Sequence, residues 1–171
     1  EVPHFIGMVT CQAPNGDIVH GDYGSPTRLC VWDWKGKQAR VVAEAAPMSL
    51  FTLDVAPDGR VYLPDYTANA MFRYDPANGK VERCAEYGAF GTYIRNVVCG
   101  ADGFGYVTSH RYDPGVGIPT TVVALNPETG EKFQAHSDAS LSMAWNTLVK
   151  DAAGRALVAS LSWGRQVWHE L

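Results

Sequence analysis

The run Ser109-His110-Arg111-Tyr112-Asp113 sets an imidazole, a guanidinium and a phenol in consecutive positions. Those groups suit acid–base work on a carboxylated molecule. The guanidinium forks onto the carboxylate, and the imidazole or phenol takes and returns a proton. His110 and Tyr112 are the catalytic candidates here, with Arg111 as the carboxylate binder. His20, in His20-Gly21-Asp22-Tyr23, is a candidate second base, though it follows Ile18 and Val19 and reads equally well as a packed strand residue. Asp65 and Tyr66, Tyr93 and Arg95, and Trp145 and Asn146 complete the candidate substrate-binding set. Asp-Tyr occurs at both Asp22-Tyr23 and Asp65-Tyr66, so the pair reads as a structural cap as well as a binding feature.

The elements that position these residues follow from the turn signals. Asp58-Gly59 and Asn78-Gly79 each punctuate apolar-rich runs, and the same punctuation recurs along the chain. First-turn glycines fall at Gly16, Gly59, Gly103 and Gly154, at spacings of 43, 44 and 51. Second-turn glycines at Gly36, Gly79 and Gly130 follow them by 20, 20 and 27 residues. A period of this length marks a repeat architecture. Within a copy the runs "SLFTLDVA", "RVYLPD", "AMFRYD" and "KVERCAEY" all read as strands, and no capped run of helical period appears. Four antiparallel strands per copy, repeated radially, predict an all-β β-propeller of about four blades, over 4–46, 47–90, 91–139 and 140–171.

Up-and-down strand order places the tight turns on one face. The connections after the second strand, and those leading into the first, share the other face. The candidate residues collect on that second face. The third copy spends seven extra residues there, and an insertion on one face of a repeat protein marks a candidate binding face. The fourth copy would need its second turn near position 174, beyond Leu171. Its outer strand is therefore expected to be missing, which makes the chain a partial propeller, with a self-sufficient four-bladed ring as the alternative. Further blades from a longer chain, or a second copy, are the expected partners.

Bulk properties narrow the partners further. Net charge is −4 with no Lys/Arg run, which speaks against nucleic acid and anionic membranes. No stretch approaches the roughly 18 apolar residues of a membrane span. A soluble chain that binds a carbohydrate or small polar molecule fits best, and the compartment stays open between extracellular, periplasmic and cytoplasmic. Cys11, Cys30, Cys84 and Cys99 show no metal spacing and read as buried free thiols, with one disulfide left open. Trp32, Trp34 and Trp168 are expected in the core between blades, and His4, His136 and His169 at the surface.

The segments "DVAPDGRVYLPDY" and "FRYDPANGK" resemble the NHL-repeat propellers. They are equally similar to the senescence marker protein/gluconolactonase family and the virginiamycin B lyase-like proteins. The resemblance implies three functions: a lyase-type elimination or hydrolysis, a noncatalytic NHL-like protein-interaction scaffold, or a metal-dependent lactonase. The last would place oxygen ligands for a divalent cation, Ca²⁺ or Mg²⁺, at the starts of the inner strands. Met8, Phe51, Arg95 and Asn146 hold those places, and only Asn146 suits a hard cation. No metal ligand set is therefore expected from this segment, and the cofactor remains unknown.

Overall fold

Each first turn is built by one polar side chain and one glycine. Asn15, Asp58 and Asp102 each turn the chain by accepting, on Oδ1, the backbone N–H two residues on, at 2.9–3.1 Å. Asp151 does the same for Ala153 and also accepts from Arg155 N. The glycine that follows, at Gly16, Gly59, Gly103 and Gly154, sits at φ between +80° and +93°, where a Cβ would collide with the backbone. The second turns repeat the device with Asp33, Asp75 and Asn126. In the first copy the left-handed residue is Lys37 (φ 53°) rather than Gly36.

The computed structural model describes residues 7–22, 27–45, 52–65, 68–90, 94–110, 120–138, 148–162 and 165–171. Between the turns the described residues form four antiparallel sheets. The first comprises β1 (Gly7–Gln12), β2 (Ile18–Asp22), β3 (Thr27–Asp33) and β4 (Gln38–Ala45). The second comprises β5 (Asp54–Val55), β6 (Val61–Asp65), β7 (Ala70–Asp75) and β8 (Lys80–Glu86). The third comprises β9 (Ile94–Cys99), β10 (Gly105–His110), β11 (Thr120–Leu125) and β12 (Lys132–Asp138). The fourth has three strands, β13 (Leu148–Lys150), β14 (Ala156–Ser162) and β15 (Arg165–Glu170). Every sheet runs in sequence order, which is the blade topology of a propeller. A register shift recurs between the third and fourth strands of the first three sheets, at Leu29/Cys30, Met71/Phe72 and Val122/Val123. Such bulges strengthen the twist of the outer strands.

Alternation along the strands gives each inner sheet two apolar faces, one for each neighbour. Val19, Leu29 and Val31 of the first sheet pack on Val61, Leu63 and Tyr74 of the second. Tyr62 and Met71, on the opposite face of the second sheet, pack on Val97, Val107, Val123 and Leu125 of the third. Tyr106, Val122 and Ala124 then meet Leu148, Ala156 and Val158 of the fourth. Each fully buried large side chain contributes about 1.5–3 kcal/mol, so these three seams carry the stability of the stack.

The tryptophans depart from the sequence expectation of a core role. Trp32, Trp34 and Trp168 are all exposed. Trp34 lies in the second turn of the first sheet, near Gly16. Trp32 and Trp168 do occupy blade-packing positions, but on the two sheet faces that no other sheet covers among the described residues. No helix among the described residues is long and apolar enough to cross a membrane.

Candidate functional site

The connections from second to third strand leave the same end of every sheet, and they differ in length. They span 23–26 in the first sheet, 66–69 in the second, 111–119 in the third and 163–164 in the fourth. The extra residues of the third copy thus fall mainly in this one connection. His110 is the last residue of β10, paired through its Cα with Thr120 across the loop. Ser109 pairs with Ile94, so the backbones of Arg95 and His110 sit at one end of adjacent strands. Tyr66, Tyr93, Arg111, Tyr112, Trp145 and Asn146 lie outside the described residues, as do Tyr23, Asp113 and Trp163.

Asp65 and His20 are placed differently. Asp65 is buried and accepts the backbone N–H of Ala68 at 2.8 Å, a bond that ties the end of β6 to the residues leading into β7. Asn69 continues that device with φ 51° and an Nδ2 that donates to Gly88 O at 2.9 Å. His20 sits within β2, paired with Thr10 and Cys30. Its position four residues after the first-turn glycine is held by Leu63 and Val107 in the next two sheets, both fully buried in packing seams. His20 is thus on a sheet face of the first blade, with the second sheet between it and the blade that carries His110.

The inner strands hold a polar cluster that the sequence reading missed. Lys150 Nζ of β13 lies 2.7 Å from Asp54 Oδ2 of β5 and 2.9 Å from Val55 O. The same Asp54 oxygen accepts the Cys99 backbone N–H of β9 at 2.7 Å. Three inner strands from three sheets therefore meet on one carboxylate. Cys11 of β1 is close enough to sense it: burial, and then the Asp54 charge, push the thiol up to about 12. Burial likewise raises Cys84 to about 11 and Cys99 well above its ordinary value. All four cysteines are free thiols, and a thiol so shifted is not a nucleophile near neutrality. Asp54 had a signal in the sequence, five residues before Gly59. Lys150 had none without its partner.

The tight-turn face is not featureless. An apolar slot of about 150 Å³ opens between the second and third sheets, lined by Ala56, Pro57, Tyr62, Gly100, Phe104 and Pro127 among others. Burial, then the Asp58 charge, push the Tyr62 phenol up to about 12. Beside the slot, Glu128 of the third sheet accepts from Arg60 Nη1 at 2.8 Å and from Arg73 Nη1, both of the second sheet. A wider groove, about 540 Å³, runs between Pro14, Asn15, Arg60, Asp75 and Pro76. His136 and His169 stack across the seam between the third and fourth sheets, ring centroids 5.0 Å apart. No cluster of three or more metal-ligating side chains occurs among the described residues.

No protein-family profile matches the chain, and no curated protein matches it. Solved structures match its fold along nearly its whole length. A catalytically inactive variant of virginiamycin B lyase from Staphylococcus aureus, with Quinupristin, is 12% identical with a TM-score of 0.69 over 100% of this chain and 58% of that one. The Nidogen/Laminin complex gives 11% identity and a TM-score of 0.74 over 99% of this chain and 62% of the matched one. A structure described as a putative gluconolactonase gives 16% and 0.58, over 95% and 62%. This chain spans between 56% and 62% of these first matched chains. At such identities the likeness concerns architecture alone: the chain is a β-propeller segment, similar in fold to virginiamycin B lyase, nidogen and gluconolactonase-like proteins.

Proposed function

We propose that the face carrying the second-to-third-strand connections is a ligand site for an acidic carbohydrate or small polar metabolite, at which the chain performs a lyase-type elimination. The observation that carries this reading is the 111–119 connection, longer than its counterparts in the other three sheets and entered directly from His110. Arg95, at the same end of the neighbouring strand, and Arg111 in the connection supply guanidinium forks for a carboxylate. A substrate carboxylate held in that way acidifies its α-proton. His110 or Tyr112 then removes the proton, the C–H electrons become a C=C bond, and the β-oxygen leaves with a proton from the other group. Fold likeness to a protein named as a lyase adds only analogy.

The experiment is turnover of uronic-acid oligosaccharides, followed by the ultraviolet absorbance of a new C=C bond conjugated to a carboxylate. Turnover that falls by about 10²-fold or more in His110→Ala or Tyr112→Phe, with the far-ultraviolet circular dichroism unchanged, supports the elimination. Absence of turnover in the parent chain overturns it.

A second reading rests on the match to a propeller crystallised as a protein complex, Nidogen/Laminin. In that reading the same connections present a protein-docking surface without catalysis. The parent chain would then show no turnover, and substitutions in 111–119 would weaken protein capture.

A further inference from the structure

The three seams inside the chain are copies of one interface, and among the described residues both halves of that interface also occur without a facing sheet. Two residues after each first-turn glycine, the second strand pairs with a third-strand residue that faces the preceding sheet. That residue is Tyr74 in the second sheet, paired with Val61, and Leu125 in the third, paired with Gly105. Both are 0% exposed. In the first sheet the same place, paired with Ile18, belongs to Trp32, which is 40% exposed. Val41, across β4 on the same face, is exposed too.

The other half repeats five residues after the glycine, facing the following sheet. Leu29, Met71 and Val122 hold it in the first three sheets, each 0% exposed. In the fourth sheet the residue is Trp168, paired with Ala159 and 44% exposed. Sheet one thus offers an apolar face built to receive a preceding blade, and sheet four offers one built to be received. Each exposes a large indole where its counterparts are sealed.

We propose that the occupant of each face is a second copy of this chain, packed head to tail, so that the Trp168 face of each copy covers the Trp32 face of the other. The contact continues a seam already formed three times within the chain. It joins unlike faces, so it is heterologous and must close to stay finite. Two copies of four sheets make a ring of eight blades, within the range of known propellers. The inference is independent of the ligand site proposed above.

The test is the solution mass of the 171-residue chain by light scattering, with variants on each face. The parent chain should have twice the 18.6 kDa chain mass. Trp32→Glu and Trp168→Glu should each give the single-chain mass with unchanged far-ultraviolet circular dichroism, since both indoles are already exposed. An equimolar mixture of the two variants should regain the doubled mass, because one of its two seams pairs two unaltered faces. A parent chain of single mass or an indefinite aggregate would overturn the proposal, and would mean that other blades cover these faces. A doubled mass insensitive to both substitutions, or a mixture that stays single, would overturn it too.

Discussion

Lys150 Nζ sits 2.7 Å from Asp54 Oδ2, tying the inner strand of the fourth sheet to that of the second, while the Cys99 amide of the third donates to the same oxygen. Both side chains are only partly exposed and the Cys99 residue is buried, so loss of the carboxylate leaves that amide short of a partner. Asp54→Ala strands a lysine and a buried amide and should cost about 1–3 kcal/mol. Lys150→Met leaves the Cys99 bond in place and should cost less. Urea unfolding of the two variants checks the order, and an equal or reversed cost would mean that the Cys99 contact carries no weight.

Glu128 ties the third sheet to the second through Arg60 and Arg73 on the solvent side of their seam. An exposed carboxylate on two arginines contributes modestly, so Glu128→Gln should cost about 0.2–1 kcal/mol. The difference from the parent chain should shrink as salt rises towards about 1 M, where screening is short-ranged. A salt-independent loss would assign the effect to packing rather than charge.

Two glycines with nearly the same backbone angle should respond differently to alanine. Gly103, at φ +86°, has open space where a Cβ would lie, so Gly103→Ala should cost only the left-handed penalty of about 1–2 kcal/mol. At Gly154, φ +80°, the added Cβ would stand 3.1 Å from Ala101 Cβ, beside the bond from Ala101 N to Gly154 O. Gly154→Ala should therefore lower the unfolding midpoint further than Gly103→Ala. Equal midpoints would show that the turns of the third and fourth sheets are not pressed together.

Alkali should weaken the fold in a defined window. Burial raises the thiols of Cys11 and Cys84 from their ordinary value of 9.0 to about 12 and about 11, and it raises Cys99 also. From pH 9 upward the unfolded chain gives up those protons while the folded chain keeps them. Stability is therefore fully present below pH 9 and declines towards pH 12. The urea midpoint should fall steadily across that range, and Cys11→Ala should flatten the fall. A midpoint that holds level to pH 11 would contradict the burial of these thiols.

Much of this architecture was legible because its signals are local. The Asp or Asn that accepts a backbone N–H two residues on, and the glycine beside it, fix each turn without help from the rest of the chain. Strand alternation between Asp58-Gly59 and Asn78-Gly79 is similarly self-contained. Burial was not legible at Trp32 and Trp168, because it depends on whether a neighbouring sheet is there to cover them. The Lys150–Asp54 pair was invisible for a related reason: 96 residues separate its members. On the face of the second-to-third-strand connections the sequence identified the long connection after His110. It offered His20 both as a base and as a packed strand residue, and Asp65 both as a binder and as a structural cap. Which of each pair holds depends on the neighbouring strands and so was not legible.

The most direct test of the ligand-face reading is amide hydrogen exchange with and without a uronic-acid oligosaccharide. New protection is expected over 94–96 and 108–121, with the tight turns at 57–60 and 126–130 unchanged. Protection confined to the tight turns, around the slot beside Tyr62, would contradict it and move the site to the opposite face.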